Sequence, residues 1–181
     1  MILNLHGLHG SPHNTNYKLL LKSYSEDTIF SPQIDYIKTS PIKILDNLKT
    51  YKNIDYIVGN SFGGFFAYIL TNIYQIPCLL VNPCIPPERY IPFLVEDYEF
   101  VNELAFLMFE YADNVQSVYM ILGMEDNVLT PAYTERIIKA VKVWKIHGGH
   151  SLSGNELFYQ VFHSGIKEIE SIIGTGKRKN V

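Results

Sequence analysis

The chain has 181 residues, and its hydrophobic fraction of 47% and charged fraction of 18% are typical of a globular domain. A net charge of −3 argues against a general nucleic-acid-binding surface, and no apolar run reaches the roughly 20 residues of a membrane-spanning helix. Two cysteines are too few to stabilise a secreted domain of this size, and the first residues lack the basic segment of a signal peptide. We therefore expect a cytoplasmic protein without nucleic-acid or membrane partners.

Short apolar runs alternate with longer amphipathic segments along the chain, which is typical of βα units around a parallel sheet. Most of the runs are rich in Ile, Val and Leu on both faces, as expected for strands covered by helices on both sides. The predicted strands are Ile2–Leu5, Thr28–Ser31, Tyr56–Gly59, Cys78–Asn82, Val118–Leu122 and Val143–Ile146. This pattern predicts one α/β domain over residues 1–181, with about six mainly parallel strands and helices on both faces.

Helices are predicted between these strands from capping residues and from apolar residues at helical spacing. The segment from Phe62 to Tyr74 is apolar nearly all round, so we expect a buried helix there. Ser40-Pro41 offers a cap with proline at the first helical position and predicts a helix to about Tyr51. The other predicted helices run from Asn14 or Thr15 to about Ser25, from Glu99 to Ala112, from Thr130-Pro131 to about Ala140, and from about Asn155 to Ile173.

Two segments depart from the βα pattern. Residues 83–114 begin with four prolines in ten residues and carry several aromatic residues, but no boundary signal makes them a second domain. We interpret them as a short cap-like insertion after the fourth strand, whose aromatic residues either line an acyl pocket or belong to the core. Gly174 is expected to end the last helix, which leaves residues 175–181 as a flexible, solvated basic tail.

The most informative motif is Gly59-Asn60-Ser61-Phe62-Gly63, a G-x-S-x-G sequence that follows an apolar strand and opens an apolar helix. This is the context of a nucleophile elbow, in which a sharp turn exposes the serine hydroxyl above the carboxyl end of the sheet. Glycines two residues to either side avoid clashes in such a turn. The motif predicts Ser61 as the nucleophile and the backbone N–H of Phe62 as one donor to an oxyanion.

A serine nucleophile needs a base and a residue that orients the base, and α/β hydrolases supply them in the chain order serine, acid, histidine. Asp126 follows the fifth predicted strand and His150 follows the sixth within a glycine-rich turn. We predict that His150 takes the serine proton and that Asp126 orients the imidazole. Glu125 and His147 are the alternatives at these two positions.

The first predicted strand ends in His6-Gly7, the place where an α/β hydrolase positions the other oxyanion donor. The expected donor is the backbone N–H of Leu8. His6, His9 and His13 also suggest a metal site, but their spacing fits no standard ligand set. We therefore expect no metal, with His6 bracing the loop and the other two histidines facing solvent. Cys78 and Cys84 are expected to be free buried thiols.

In combination, these motifs resemble the small bacterial YqiA-like esterases of the α/β-hydrolase superfamily. The matching segments are Leu5-His6-Gly7, Ser11-Pro12, Gly59–Phe65, Val81-Asn82-Pro83, Gly123 with Asp126-Asn127-Val128, and Gly148-Gly149-His150. The resemblance implies a reduced three-layer α/β-hydrolase fold that starts directly at the oxyanion strand. It also implies cofactor-free hydrolysis of short-chain carboxylic esters or thioesters, with Ser61, Asp126 and His150 as nucleophile, acid and base.

The sequence thus predicts a serine hydrolase that cleaves small carboxylic esters or thioesters through an acyl-enzyme intermediate, without cofactor or metal. One alternative keeps the same three residues in an acyltransferase or in a C–C bond hydrolase or lyase. Another is a non-catalytic binding module on a hydrolase fold. Acyl-chain length, natural substrate and oligomeric state stay open at this point.

Overall fold

A computed structural model describes residues 1–112 and 117–178 and shows a six-stranded sheet in which every neighbouring pair is parallel. The strand order is β2-β1-β3-β4-β5-β6. The strands are β1 (Ile2–Leu5), β2 (Ile29–Phe30), β3 (Tyr56–Asn60), β4 (Cys78–Val81), β5 (Val118–Gly123) and β6 (Lys142–Ile146). All six predicted strands are confirmed, with ends that differ by at most one residue.

Helices cover both faces of the sheet and complete three layers. They are α1 (Thr15–Leu20), α2 (Pro41–Leu48), α3 (Phe62–Tyr74), α4 (Ile91–Leu94), α5 (Val101–Tyr111), α6 (Pro131–Ile137) and α7 (Glu156–Arg178). One buried cluster joins the sheet to α1 and α7, and a larger one joins the opposite face to α2, α3 and α5. This arrangement confirms a reduced α/β-hydrolase fold.

The strand order changes direction between β1 and β3. Helix α1, which follows β1, packs on one face of the sheet, whereas α3, which follows β3, packs on the other. Segments that leave neighbouring parallel strands toward opposite faces open a crevice above the carboxyl ends of those strands. The fold therefore brings the loop after β1 and the turn after β3 to the same crevice.

Four helices end three or more residues away from their predicted ends. Helix α1 ends at Leu20 rather than near Ser25, because the N–H groups of Lys22 and Ser23 turn back to carbonyls three residues earlier. Similarly, α2 ends at Leu48 and α6 at Ile137, about three residues before their predicted ends.

The last helix does not end at Gly174, where the sequence predicted its end. Helix α7 runs on to Arg178, so residues 175–178 of the predicted tail are helical. A glycine ends a helix when it adopts a left-handed conformation, and Gly174 keeps the helical backbone instead. Residues 179–181 of the predicted tail lie outside the described residues.

The segment after β4, predicted as a cap-like insertion, contains a 3-10 turn at Pro87–Arg89 followed by α4 and α5. Its aromatic residues divide into two groups. Tyr98 is buried in the core and packs edge-on against Phe100, with ring centroids 5.7 Å apart, whereas Phe93 is 88% exposed. Residues 113–114 at the end of the predicted insertion are outside the described part of the chain.

The two edge strands of the sheet differ in length and charge. Strand β2 has only two residues, whereas β6 carries the exposed lysines Lys142 and Lys145. Lys142 pairs with Glu168 on α7, and Lys145 lies 2.8 Å from Glu135 on α6. Within the described residues, no helix is long and apolar enough to cross a membrane.

Candidate active site

Ser61 lies in the sharp turn between β3 and α3, with φ 51° and ψ −124°. This conformation is costly for a residue with a side chain and persists only where the surrounding structure fixes it. Here the Ser61 N–H donates to the carbonyl of Val81 on β4 at 3.0 Å. A Cβ atom at Gly59 would lie 2.6 Å from the Gly63 carbonyl oxygen, so the turn requires glycine at that position. The predicted elbow geometry is therefore present at Ser61.

Three side chains from different loops form a continuous hydrogen-bonded chain. His150 Nε2 lies 3.0 Å from Ser61 Oγ, and His150 Nδ1 lies 2.8 Å from Asp126 Oδ2. These contacts join residues that are 89 and 24 positions apart in the sequence. A carboxylate at Nδ1 requires a proton on that nitrogen, which leaves Nε2 free to accept the serine proton.

The Asp126 carboxylate is held on both oxygens. While Oδ2 faces His150, Oδ1 accepts the backbone N–H groups of Val128 and Leu129, each at 2.9 Å. Burial of this side chain opposes ionisation, but the hydrogen bonds from His150 and from the two backbone N–H groups outweigh it, so the pKa of Asp126 is lowered. The carboxylate is therefore ionised and fixed in orientation at neutral pH.

Glu125 and His147, the two alternatives, form a separate pair with each other. Glu125 Oε2 lies 2.8 Å from His147 Nδ1, and their side chains are 58% and 82% exposed. By contrast, the Asp126 and His150 side chains are 1% and 25% exposed. The structure therefore brings Asp126 and His150, and not their neighbours, to Ser61.

The loop after β1 packs directly against the turn that carries Ser61. A Cβ atom at Gly7 would lie 3.0 Å from Ser61 Cβ, and one at Gly63 would lie 2.3 Å from the His6 carbonyl oxygen. In the described part of the chain, the N–H groups of Leu8 and Phe62 donate to no backbone or side-chain acceptor. Leu8 directly follows Gly7 and Phe62 directly follows Ser61, so the two predicted donors belong to the two segments that meet at Ser61.

His6 braces this loop, as predicted, and the structure fixes its tautomer. Nδ1 lies 2.8 Å from the Gly7 carbonyl oxygen, and Nε2 accepts the N–H of Ile34 at 3.0 Å. Because a carbonyl only accepts and an amide N–H only donates, the proton must be on Nδ1. Burial lowers the pKa of His6, against a smaller opposite effect of the Gly7 hydrogen bond. His9 and His13 are exposed.

Three hydrogen-bonded asparagines lie next to Ser61, and the sequence analysis predicted no role for them in the site. Asn14, which caps α1, donates to Asn60 Oδ1 at 2.9 Å, and Asn4 on β1 donates to Asn14 at 3.2 Å. These hydrogen bonds tie Asn60, the residue before Ser61, to β1 and α1. The cap signal at Asn14 is visible in the sequence, but its second partner, 46 residues away, is not.

Two cavities lie near these loops. One of about 100 Å³ is lined by His150, Asn60 and residues 14–16, beside the hydrogen-bonded chain. The other, of about 480 Å³, lies between the loop after β2 and helix α2.

Cys78 and Cys84 are buried free thiols, as predicted. Burial raises the pKa of Cys78 to about 12, so that thiol is not a nucleophile at neutral pH.

The sequence matches the model of the family described as "Uncharacterised protein family (UPF0227)" over residues 1–154. This range includes every residue of the candidate active site. The match and the fold confirm the predicted resemblance to α/β hydrolases.

Solved structures with the same fold cover nearly the whole chain. A monoacylglycerol lipase from Paleococcus ferrophilus is 12% identical, covers 96% of this chain and 93% of its own, and has a TM-score of 0.65. A carboxylesterase from Nitrososphaera gargenis is 14% identical over 94% of this chain and 90% of its own, with a TM-score of 0.64. A thioesterase domain from the curacin biosynthetic pathway is 12% identical over 89% and 90%, with a TM-score of 0.56. At these identities the likeness concerns the fold.

Proposed function

The chain belongs to the UPF0227 family, and we propose that it is a serine hydrolase that cleaves small carboxylic esters or thioesters through an acyl-enzyme. The observation that carries this proposal is the hydrogen-bonded chain from Ser61 through His150 to Asp126. An isolated serine in a tight turn needs no base, whereas a serine nucleophile needs both a base and an oriented imidazole. The esterases, lipase and thioesterase that share the fold support the same class of reaction.

In the first half of the reaction, Ser61 Oγ attacks the carbonyl carbon while His150 Nε2 takes its proton. The carbonyl oxygen becomes an oxyanion that accepts the N–H groups of Leu8 and Phe62. The bond to the leaving alcohol or thiol then breaks, and His150 returns the proton to that leaving group. Asp126 stabilises the imidazolium that exists between these two proton transfers.

In the second half, a water molecule replaces the leaving group beside His150. His150 takes one proton of the water as its oxygen attacks the acyl carbon, and the same two N–H groups bind the second oxyanion. The bond to Ser61 Oγ breaks, the serine oxygen regains a proton from His150, and a carboxylic acid leaves. No cofactor enters either half.

Substitution of the nucleophile tests the proposal most directly. We expect Ser61→Ala to abolish turnover of p-nitrophenyl acetate and labelling by a fluorophosphonate probe, with a melting temperature close to that of the wild type. Ser151→Ala is the matched control, because Ser151 is exposed and directly follows His150 in the chain. It should retain both reactions. Undiminished hydrolysis by Ser61→Ala would falsify the assignment, and an unlabelled wild type would favour a binding module.

The reaction catalysed by the acyl-enzyme is tested by its products. Acetyl esters and acetyl thioesters of graded leaving-group size distinguish oxygen from sulfur leaving groups, because the acyl group is the same in both. Addition of a primary alcohol then separates a hydrolase from an acyltransferase. We expect acetate as the main product, whereas a predominance of the new ester would assign the protein as a transferase.

A further inference from the structure

Asn82 lies at the end of β4, between the nucleophile turn and the two loops that carry Asp126 and His150. It is 3% exposed and adopts φ 41°, in the left-handed region that asparagine tolerates better than most residues. Its neighbour Val81 accepts the Ser61 N–H at 3.0 Å, and Cys84 donates its N–H to the Ser61 carbonyl at 2.9 Å. The segment around Asn82 is therefore bonded to the backbone of Ser61 on both sides.

The side-chain amide of Asn82 makes three hydrogen bonds to other loops. Nδ2 donates to the carbonyl of His150 at 2.9 Å and to the carbonyl of Gly149 at 3.1 Å. Oδ1 accepts the N–H of Gly123 at 2.7 Å. Gly123 begins the turn that carries Asp126, since its carbonyl accepts the Asp126 N–H at 3.1 Å. One amide group thus contacts the backbone of both loops.

We propose that Asn82 is a positioning residue that sets the distance between His150 Nε2 and Ser61 Oγ. This inference rests on the proposed function and extends it to a residue that contacts no reacting atom. Among the described residues, Asp126 and Ser61 are the hydrogen-bond partners of the His150 ring, so the position of the ring also depends on where its backbone is fixed. Only an amide of this length offers two donors to the His150 loop and an acceptor to the Asp126 loop at once.

Two substitutions at this position separate positioning from packing. Asn82→Gly removes the amide and keeps the φ value free of strain. Asn82→Asp keeps the shape and the acceptor, but its carboxylate faces two carbonyl oxygens and donates no hydrogen bond. Only the protonated acid donates one. The matched control is Asn155→Gly, because Asn155 donates to the carbonyl of His147, in the same loop, at 2.8 Å without touching His150.

The readouts are kcat and KM for p-nitrophenyl acetate, the rate of fluorophosphonate labelling, and thermal melting. For Asn82→Gly we expect kcat and labelling to fall by about 100-fold with KM nearly unchanged, the cost of misplacing a catalytic group by about 1 Å. Asn155→Gly loses the bond to the His147 carbonyl and the bond from the Phe158 N–H, so it should also melt below the wild type. It should nevertheless keep kcat within about threefold of the wild type, as expected for a change remote from the reacting atoms. For Asn82→Asp, the labelling rate relative to wild type should rise as pH falls, whereas for Asn82→Gly this ratio should be flat.

A proton NMR measurement decides the inference even if the protein hydrolyses no ester. The Nδ1–H proton that His150 shares with Asp126 should give a low-field signal in the wild type and in Asn155→Gly, and this signal should be lost in Asn82→Gly. Equal losses of kcat in Asn82→Gly and Asn155→Gly, or a retained His150 signal in Asn82→Gly, would overturn the inference. Turnover by Ser61→Ala would instead overturn the proposed function.

Discussion

Replacement of Gly63 by alanine tests the contact between the loop after β1 and the turn that carries Ser61. The added Cβ atom would lie 2.3 Å from the His6 carbonyl oxygen and 2.5 Å from that of Leu5, both of them backbone atoms. The nearer distance is about 1 Å short of ordinary van der Waals contact. Neither strand β1 nor helix α3 can move alone, because both are packed into the core on all sides.

The loop that carries Leu8 must therefore move away from the turn that carries Phe62. Overpacking of this kind costs about 1–3 kcal/mol of stability. The separation of the two N–H groups by about 1 Å should also lower kcat by about 100-fold. Initial rates with p-nitrophenyl acetate at a temperature where the variant is folded, together with thermal melting, measure the two effects separately.

Gly174→Ala is the matched control for Gly63→Ala, since both glycines lie in helices. Within the described part of the chain, no atom outside the backbone of α7 lies within 4 Å of a Cβ added at Gly174, so its substitution should stabilise α7 by about 0.5–1 kcal/mol and leave kcat unchanged. Wild-type kcat and melting temperature in Gly63→Ala would refute the close approach of β1 to α3 and the placement of the Leu8 N–H beside Ser61.

Two further predictions concern Asp126 and His6. Asp126→Asn should lower kcat by about 10⁴-fold with KM little changed, because an amide favours the wrong tautomer of His150. Steady-state kinetics measures this effect. A loss of less than about tenfold would contradict the role of Asp126. Burial lowers the pKa of His6 in the folded protein, so the unfolded chain binds the proton first. The free energy of unfolding should thus be highest above about pH 6.5 and decline as pH falls through the lowered pKa. Denaturant titrations from pH 8 to 5 should show this decline reduced in His6→Gln; an equal decline in both proteins would show that other groups cause it.

The fold and the grouping of Ser61, Asp126 and His150 could be predicted, because the loops after parallel strands lie at one edge of the sheet. Strands such as β3 and β4 are apolar on both faces and bounded by turn residues, so their positions are visible locally. Once the strands are known to be parallel, Ser61, Asp126 and His150 must lie at the same end of the sheet. Their catalytic roles stay predictions until the variants are measured.

The choice between neighbouring residues could not be made from the sequence. Glu125 and Asp126 are neighbouring carboxylate residues in the same loop. Which of the two side chains points toward His150 depends on the backbone of this loop, which is fixed by the hydrogen bond from the Glu125 N–H to the Gly148 carbonyl. Likewise, Asn82 shows in the sequence as part of a motif, but its partners Gly123 and His150 lie 41 and 68 residues away. The helical course beyond Gly174 was missed for a different reason, since glycine lowers helix propensity without forcing a left-handed turn.

The edge strands of the sheet limit how copies of this chain can associate. A two-residue β2 offers too short a row of free backbone groups for another strand to pair with, and a strand added beside β6 would meet two lysines. Growth of the sheet from one molecule into the next is therefore disfavoured at both ends. Any self-association has to use side-chain surfaces, where the nearly fully exposed Phe93 and Phe109 provide the largest unburied rings.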